Sequence, residues 1–198
     1  VWLPGTDIKI GDILILKDGA LVSVGNIGNE GIPFEEEAVG ELDSLDIKST
    51  GVSKTLLQNN TRVALSEIDA SAEAELNISF NNENSYFLKT SKLSGKGMVS
   101  ALGIARKIAK VANWDFQRNY VVHQVYHAED FAFLVSAAKN SSVTFKGSGE
   151  AVRNFIEAGI SANLSRTGSQ NLSIEVTDKA GGAVVLRLFR IKRNGGIY

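Results

Sequence analysis

The two histidines of this 198-residue chain, His123 and His127, are the residues whose type and spacing could bind a metal ion. Glu129 and Asp130 follow closely and could add carboxylate ligands. The Val- and Tyr-rich sequence around the histidines is typical of a β-strand, in which residues four apart share a face but lie about 13 Å apart. Because one ion cannot bridge that distance, we expect histidines that pack or lie at the surface. A His-dependent metalloenzyme is the least favoured alternative.

No other group of residues has the spacing of a catalytic site. Ser94-Gly95-Lys96-Gly97, which precedes a predicted helix, resembles the end of a phosphate-binding loop, but the full G-x-x-x-x-G-K-[ST] motif is missing. The motifs G-x-G-x-x-G and G-x-S-x-G are missing as well. The chain has no cysteine, which excludes a thiol nucleophile, a disulfide and a cysteine-ligated zinc site. We therefore expect a protein that is not an enzyme and needs no cofactor.

The charged residues are balanced in number but not in position. The formal net charge of -1 excludes a globally basic nucleic-acid-binding protein, so we expect no nucleic-acid partner. Residues 30–46 carry only acidic charges, whereas 89–118 and 187–193 are rich in Lys and Arg. We expect the two basic zones to meet on one face and to bind an anionic surface. The alternative is two solvated faces with no common role.

The elements that position these charges include a long alternating stretch over 70–81. Its even positions are apolar and its odd positions polar, which predicts a strand with one apolar face. The apolar positions are Ala70, Ala72, Ala74, Leu76, Ile78 and Phe80. Turn residues over 81–85 lead to a return strand over 86–90, which carries Tyr86 and Leu88. The pattern predicts a long amphipathic β-hairpin.

A second alternating stretch covers 152–165. After Val152, its apolar positions are Ile156, Ala158, Ile160, Ala162 and Leu164. A predicted turn over 167–171 leads to a return strand with apolar Leu172, Ile174 and Val176. This stretch predicts a second hairpin. The alternating stretches 70–81 and 152–165 both reach the length of about 9–11 residues that a strand needs to cross a bilayer. The same alternation is also typical of an ordinary antiparallel sheet with one buried face.

Shorter patterns complete the prediction of the fold. They are a hairpin over 8–24, an acidic helix or loop over 34–46, a basic helix over 98–114, paired strands over 120–126 and 131–135, and strands over 143–145 and 183–191. No run of about 18 apolar residues predicts a transmembrane helix. Together these elements predict an α+β fold in one domain over 1–198, with a twisted antiparallel sheet, long amphipathic β-hairpins and a basic amphipathic helix.

This order of elements resembles the gasdermin pore-forming domain. The first segment, Val1-Trp2-Leu3-Pro4, leads to an early strand, and a long hairpin and a helix follow. The strand Asn119-Tyr120-Val121-Val122-His123-Gln124-Val125 is similar to the leucine-tyrosine-valine-valine region of that family. A second hairpin and a closing strand, Ala183-Val184-Val185-Leu186-Arg187-Leu188, complete the resemblance. The chain lacks the lipidated N-terminal cysteine that bacterial relatives often carry, and no inhibitory segment is identifiable after Ile191.

The resemblance implies a pore-forming effector of cell death in defence, cytoplasmic when inactive and located in the inner or plasma membrane when active. An upstream protease would release it, and many copies would form a multi-subunit β-barrel in the membrane. The apolar residues named above on 70–90 and 152–177 would insert. Lipid head groups would contact Arg106, Lys107, Lys110, Arg190, Lys192 and Arg193. The alternative is a soluble α+β binding or scaffold module without membrane activity.

Overall fold

Antiparallel β-strands form most of the regular secondary structure, and two short α-helices accompany them in the described residues, so the predicted α+β class is confirmed. The computed structural model describes residues 6–161, 163–178 and 181–198. Ala162 and the segment Val1-Trp2-Leu3-Pro4 therefore lie outside the described residues. The described residues divide into two compact units. The first unit comprises 6–42, Ser94–His127 and Gly182–Tyr198, and the second comprises Asp43–Leu93 and Ala128–Gly181. The single domain over 1–198 stays a prediction.

The described elements have the following bounds. The first eight strands are β1 (Asp12–Lys17), β2 (Ala20–Asn26), β3 (Glu36–Leu42), β4 (Asp46–Lys48), β5 (Val52–Gln58), β6 (Thr61–Arg62), β7 (Glu73–Phe80) and β8 (Tyr86–Thr90). The others are β9 (Leu93–Met98), β10 (Tyr120–Ala128), β11 (Phe131–Ser136), β12 (Ser141–Ser148), β13 (Ser165–Gln170), β14 (Leu172–Asp178) and β15 (Gly182–Phe189). The α-helices are α1 (Ala101–Ile108) and α2 (Gly149–Ala158), and a 3-10 turn covers Leu65–Glu67.

The first unit contains one sheet of six strands, in the order β2-β1-β10-β9-β3, with β15 also paired to β10. The predicted N-terminal hairpin is confirmed as β1 and β2. Its two-residue turn, Asp18-Gly19, has positive φ at both positions, which is the conformation that such sequences favour in tight hairpins. Helix α1 packs Ile104 and Ile108 into the core of this unit, beside Leu14 of β1.

Three predictions for the first unit need correction. The helix expected over 98–114 covers only Ala101–Ile108. The segment 94–97, expected as a loop, belongs to strand β9. Its glycines, Gly95 and Gly97, leave space into which the side chain of Val39 packs. The acidic segment over 34–46 is not a helix. It forms the edge strand β3 and, after a short irregular stretch over 43–45, reaches the start of β4 in the second unit.

The second unit contains two sheets, with strand orders β14-β11-β8-β4 and β13-β12-β7-β5-β6. Four pairs of successive strands, β4–β5, β7–β8, β11–β12 and β13–β14, each pass from one sheet to the other. We call these four pairs the arches. Their crossings each contain one residue with positive φ, namely Gly51, Asn84, Asn140 and Asn171. Backbone hydrogen bonds between neighbouring crossings, such as Asn81 N to Gly51 O (2.9 Å) and Ala137 N to Asn171 O (2.7 Å), stack the arches.

The first predicted hairpin is wrong as a pairing, although both of its strands are present. Strand β7 pairs with β5 and β12, whereas β8 pairs with β4 and β11. Leu76 and Ile78 are fully buried in the core between the sheets, together with Phe87 of β8. The alternation indicates that one face of each strand is buried. It does not indicate whether the two strands pair with each other in a hairpin or lie in different sheets as an arch.

The second predicted hairpin is wrong in secondary structure as well. The strand expected over 152–165 is replaced by helix α2, which contains Ile156 and Ala158, and by a segment with Ile160 and Leu164. Ser148 caps the helix by accepting a hydrogen bond from Ala151 N (3.2 Å), and Gly159, with φ of 72°, ends it.

The same sequence also satisfies the helical period, because Ala151, Val152 and Phe155 are buried on one helix face. The turn expected over 167–171 is wrong too, since β13 fills 165–170. Strand β14 confirms the strand predicted around Leu172, Ile174 and Val176, but it pairs with β11. The predicted pairing of 120–126 with 131–135 is also wrong, because β10 lies in the sheet of the first unit and β11 lies between β8 and β14.

Candidate functional site

All six cations predicted to contact lipid lie in the first unit. Arg106 and Lys107 occupy the last turn of α1, and Lys110 follows the helix. Arg190, Lys192 and Arg193 lie in a short hairpin after β15. This hairpin is closed by hydrogen bonds from Lys192 N to Gly196 O (2.7 Å) and from Tyr198 N to Arg190 O (3.0 Å).

The short hairpin packs against the end of α1 and the segment after it. A Cβ at Gly195, where φ is 78°, would lie 3.1 Å from Arg106 Cα, so only glycine allows this approach. Arg190 Nη1 donates a hydrogen bond to Gln117 O at 3.3 Å. The two basic zones that the sequence predicted to meet therefore lie together. We call Arg106, Lys107, Lys110, Arg190, Lys192 and Arg193 the cationic surface.

Tyrosine rings orient two members of the cationic surface. Arg190 Cζ lies 5.6 Å from the ring centre of Tyr120 and 5.1 Å from that of Tyr198. Lys192 Nζ lies 4.7 Å from the centre of the Tyr198 ring. Such cation–π contacts restrain a side chain without neutralising its charge. In the described part of the chain, no member of the cationic surface has a carboxylate within 4.0 Å. Its charge is therefore available to an anionic ligand.

The first unit also exposes apolar side chains that the sequence analysis did not select. Leu16, Val22 and Val24 of the β1–β2 hairpin are 57%, 41% and 54% exposed. We call these three residues the apolar tip. The signal was present in the sequence, because neither alternating set of positions in Asp12–Lys17 and Ala20–Asn26 is consistently polar. A two-stranded hairpin with no polar face cannot bury all its apolar side chains against a single core.

The residues predicted to insert into a membrane lie in the second unit. Some of them share one face of a sheet, and others lie in the core or beside α2. Ala74, Leu76, Ile78 and Phe80 are buried in its core, and Ala70 and Ala72 precede β7. Tyr86 and Ile174 are both neighbours of Val135, and Leu88 and Val176 are both neighbours of Phe133. The return strands of the two predicted hairpins thus flank β11 and share one apolar face. Ile160 is 46% exposed beyond α2. Whether any of these residues inserts stays a prediction.

Both histidines lie on strand β10, as predicted. The His123 ring centre is 5.5 Å from that of Phe189. Burial, followed by the nearby charge of Arg187, lowers the pKa of His123. The described residues contain no group of three His, Asp or Glu side chains that could hold a metal ion. Neither described helix has the length and apolarity that crossing a bilayer requires.

Comparisons with known proteins give little to add to this geometry. No protein-family model matches the chain, and no curated protein matches it. Among solved structures, the chain is similar to a bacterial gasdermin from Bradyrhizobium tropiciagri, with 15% sequence identity and a TM-score of 0.34, over 100% of this chain and 84% of that chain. A similarity at this level assigns neither a family nor a function, so the proposals below rest on the chain's own residues.

Proposed function

We propose that the protein binds anionic membranes through the cationic surface and that this binding precedes pore formation. The observation that carries the proposal is the meeting of the two basic zones, from α1 and from the short hairpin after β15, without carboxylate partners among the described residues. Each Lys or Arg held near an anionic bilayer contributes about 1 kcal/mol of binding free energy. Salt screens this attraction over about 8 Å at physiological ionic strength. Several cations on one surface therefore suffice for reversible, salt-sensitive binding.

Aromatic and apolar groups of the same unit support a membrane partner over a soluble anion. Tyr198 is 68% exposed, and tyrosine is favoured at the boundary between head groups and hydrocarbon because it is apolar with one polar end. Full burial of a Leu or Val side chain contributes about 1.5–3 kcal/mol. Insertion of the apolar tip would therefore add to the attraction between charges.

Pore formation is the second step of the proposal and follows the resemblance described from the sequence. Several copies, released by an upstream protease, would insert strands of the second unit. The arches suit this step because each joins two antiparallel strands that are adjacent in sequence through a short crossing. Such strands can pair with each other as a hairpin once they leave their sheets. Hairpins pair their backbone groups internally, and further copies would cover the remaining edges, as hydrocarbon requires.

Sedimentation with vesicles tests the first step. We compare phosphatidylcholine vesicles with vesicles that also contain phosphatidylserine, using the K192E/R193E variant. The matched control is K48E/K139E, which makes the same change of charge at exposed lysines of the second unit. Loss of two cations should weaken binding to the anionic vesicles at least about 30-fold, because two carboxylates are added as well, and the control should bind like the unaltered protein. Equal binding by all three proteins, or equal binding to both vesicles, would contradict the proposal.

Release of an entrapped dye tests the second step separately. Ile160→Asp is the informative variant because Ile160 is exposed, so the substitution leaves the core intact. If the segment around Ile160 inserts, this variant should bind vesicles normally and release little dye. Binding without dye release by the unaltered protein, even after proteolysis, would instead indicate a binding module.

A further inference from the structure

The last arch, β13–β14, is held differently from the other three. All six residues of β13 are exposed, and among the described strands β13 pairs only with β12. By contrast, β5, β7 and β12 each contribute buried apolar side chains to the core, such as Val52, Ile78 and Val143. Backbone hydrogen bonds to β12 therefore retain β13 with little help from apolar burial. Strands with few buried side chains open at a lower free energy than the core does.

One ion pair ties β13 to the opposite sheet. Arg166 Nη1 lies 2.6 Å from Glu175 Oε2 on β14. In the strand registers, Arg166 is opposite Phe145 of β12, and Glu175 is opposite Leu134 of β11. Phe145 and Leu134 are both core residues, so the pair spans the two sheets beside the core. The Glu175 side chain is only 16% exposed, and its hydrogen bond raises the pKa of Arg166.

At the opposite flank of the same unit, an ion pair is accompanied by apolar contacts that the Arg166–Glu175 pair lacks. There Asp46 of β4 contacts Lys54 of β5 at 2.5 Å and Lys89 of β8 at 3.9 Å. Lys54 also lies over the Phe87 ring at 5.3 Å, and Val52 anchors β5 in the core. The first arch therefore keeps its apolar anchors when its ion pair is broken. Strand β13 has no buried side chain of its own, so once Arg166 loses Glu175 only hydrogen bonds to β12 hold it.

We propose that the Arg166–Glu175 pair is a latch that keeps the last arch closed. Breaking the pair lets β13 leave the edge of β12 while the other three arches stay folded. A carboxylate that is mostly withdrawn from water loses a strong, charge-assisted contact when its partner is removed. Because the hydrogen-bonded crossing at Asn171 joins β13 to β14, the opening is confined to this arch. The inference concerns the free protein and does not depend on membrane binding.

Hydrogen exchange of the free protein, read strand by strand, tests the latch. Glu175→Gln keeps the shape of the side chain and removes its charge. We expect amide exchange in 165–170 to become at least tenfold faster, with exchange in Glu73–Phe80 unchanged. Arg166→Met should act in the same way, and the R166E/E175R exchange should restore slow exchange. The matched control is Glu73→Gln, which removes an exposed carboxylate paired with Lys146 at 3.7 Å and should change neither region.

Two results would overturn the latch. One is exchange in 165–170 that stays within twofold of the unaltered protein in both Glu175→Gln and Arg166→Met. The other is an equal acceleration in 165–170 and Glu73–Phe80, because this would show general loss of stability rather than opening of one arch. Both readings are made without lipid, so they are independent of whether the protein binds membranes.

Discussion

The two units use the same kinds of residues in opposite ways. In the second unit Lys54, Lys146 and Arg166 are paired with carboxylates, Lys89 is buried, and most apolar strand positions face a core. In the first unit the cationic surface has no carboxylate partner within the described residues, and the apolar tip is exposed. The presence of Lys, Arg and apolar residues therefore does not by itself indicate which unit binds a ligand. The decisive property is whether the fold itself satisfies a charge or an apolar side chain.

The largest expected effect is the difference in stability when one apolar side chain in each unit is replaced by a charged one. Ile78 is fully buried, whereas Leu16 is 57% exposed. Ile78→Asp should lower the free energy of unfolding by more than about 4 kcal/mol, since it buries an unpaired carboxylate. Leu16→Asp should change it by less than about 0.5 kcal/mol. Urea unfolding followed by circular dichroism measures both, and similar losses in the two variants would contradict the contrast between buried and exposed apolar residues.

A smaller effect is expected where α2 meets β8. Gly159 ends the helix with φ of 72°, and a Cβ there would collide with the carbonyl of Thr90. Gly159→Ala should therefore cost at least about 2 kcal/mol, from backbone strain and displacement of β8 together. Gly168→Ala in β13 is the control, because nothing lies within 4 Å of its added Cβ. If Gly159→Ala is as stable as this control, the close packing of α2 against β8 is wrong.

The smallest effect concerns the protonation of Lys89. Burial, partly offset by Asp46, lowers the pKa of Lys89 from its ordinary 10.5. Between the folded-state pKa and 10.5 the unfolded chain binds more protons than the folded chain, so the free energy of unfolding rises with pH in that window. Lys89→Met should lack this rise. Urea unfolding at several alkaline pH values measures it, and parallel curves for both proteins would show that Lys89 is not desolvated.

The comparison also shows how much of the fold is readable from the sequence. The β1–β2 hairpin was predictable because Asp18-Gly19 specifies its turn locally. The arches were not, because alternation indicates a buried face and the partner of each strand is set by distant residues. The segment from Val152 fits both periods, and the cap at Ser148 with the stop at Gly159 selects the helix. Turns and helix ends are specified by nearby residues, whereas the partner of each strand depends on the fold of the whole unit.

The candidate site was partly predictable for the same reason. Arg106, Lys107 and Arg190 could be grouped from the sequence because their neighbourhoods contain few acidic residues. Lys89 was counted in the same basic zone, yet it lies in the second unit beside Asp46, a residue distant in sequence. The tyrosine contacts of Arg190 and Lys192 depend on the fold of the short hairpin after β15, which no local motif specifies.

The most direct test of the central claim is the salt dependence of vesicle binding. Affinity for vesicles that contain phosphatidylserine is measured over a range of salt concentrations, for the unaltered protein and for K192E/R193E. The account predicts that affinity falls steeply as salt increases and that the variant binds more weakly, with a shallower dependence on salt. An affinity that is independent of salt, or identical in the two proteins, would contradict a membrane-binding role for the cationic surface.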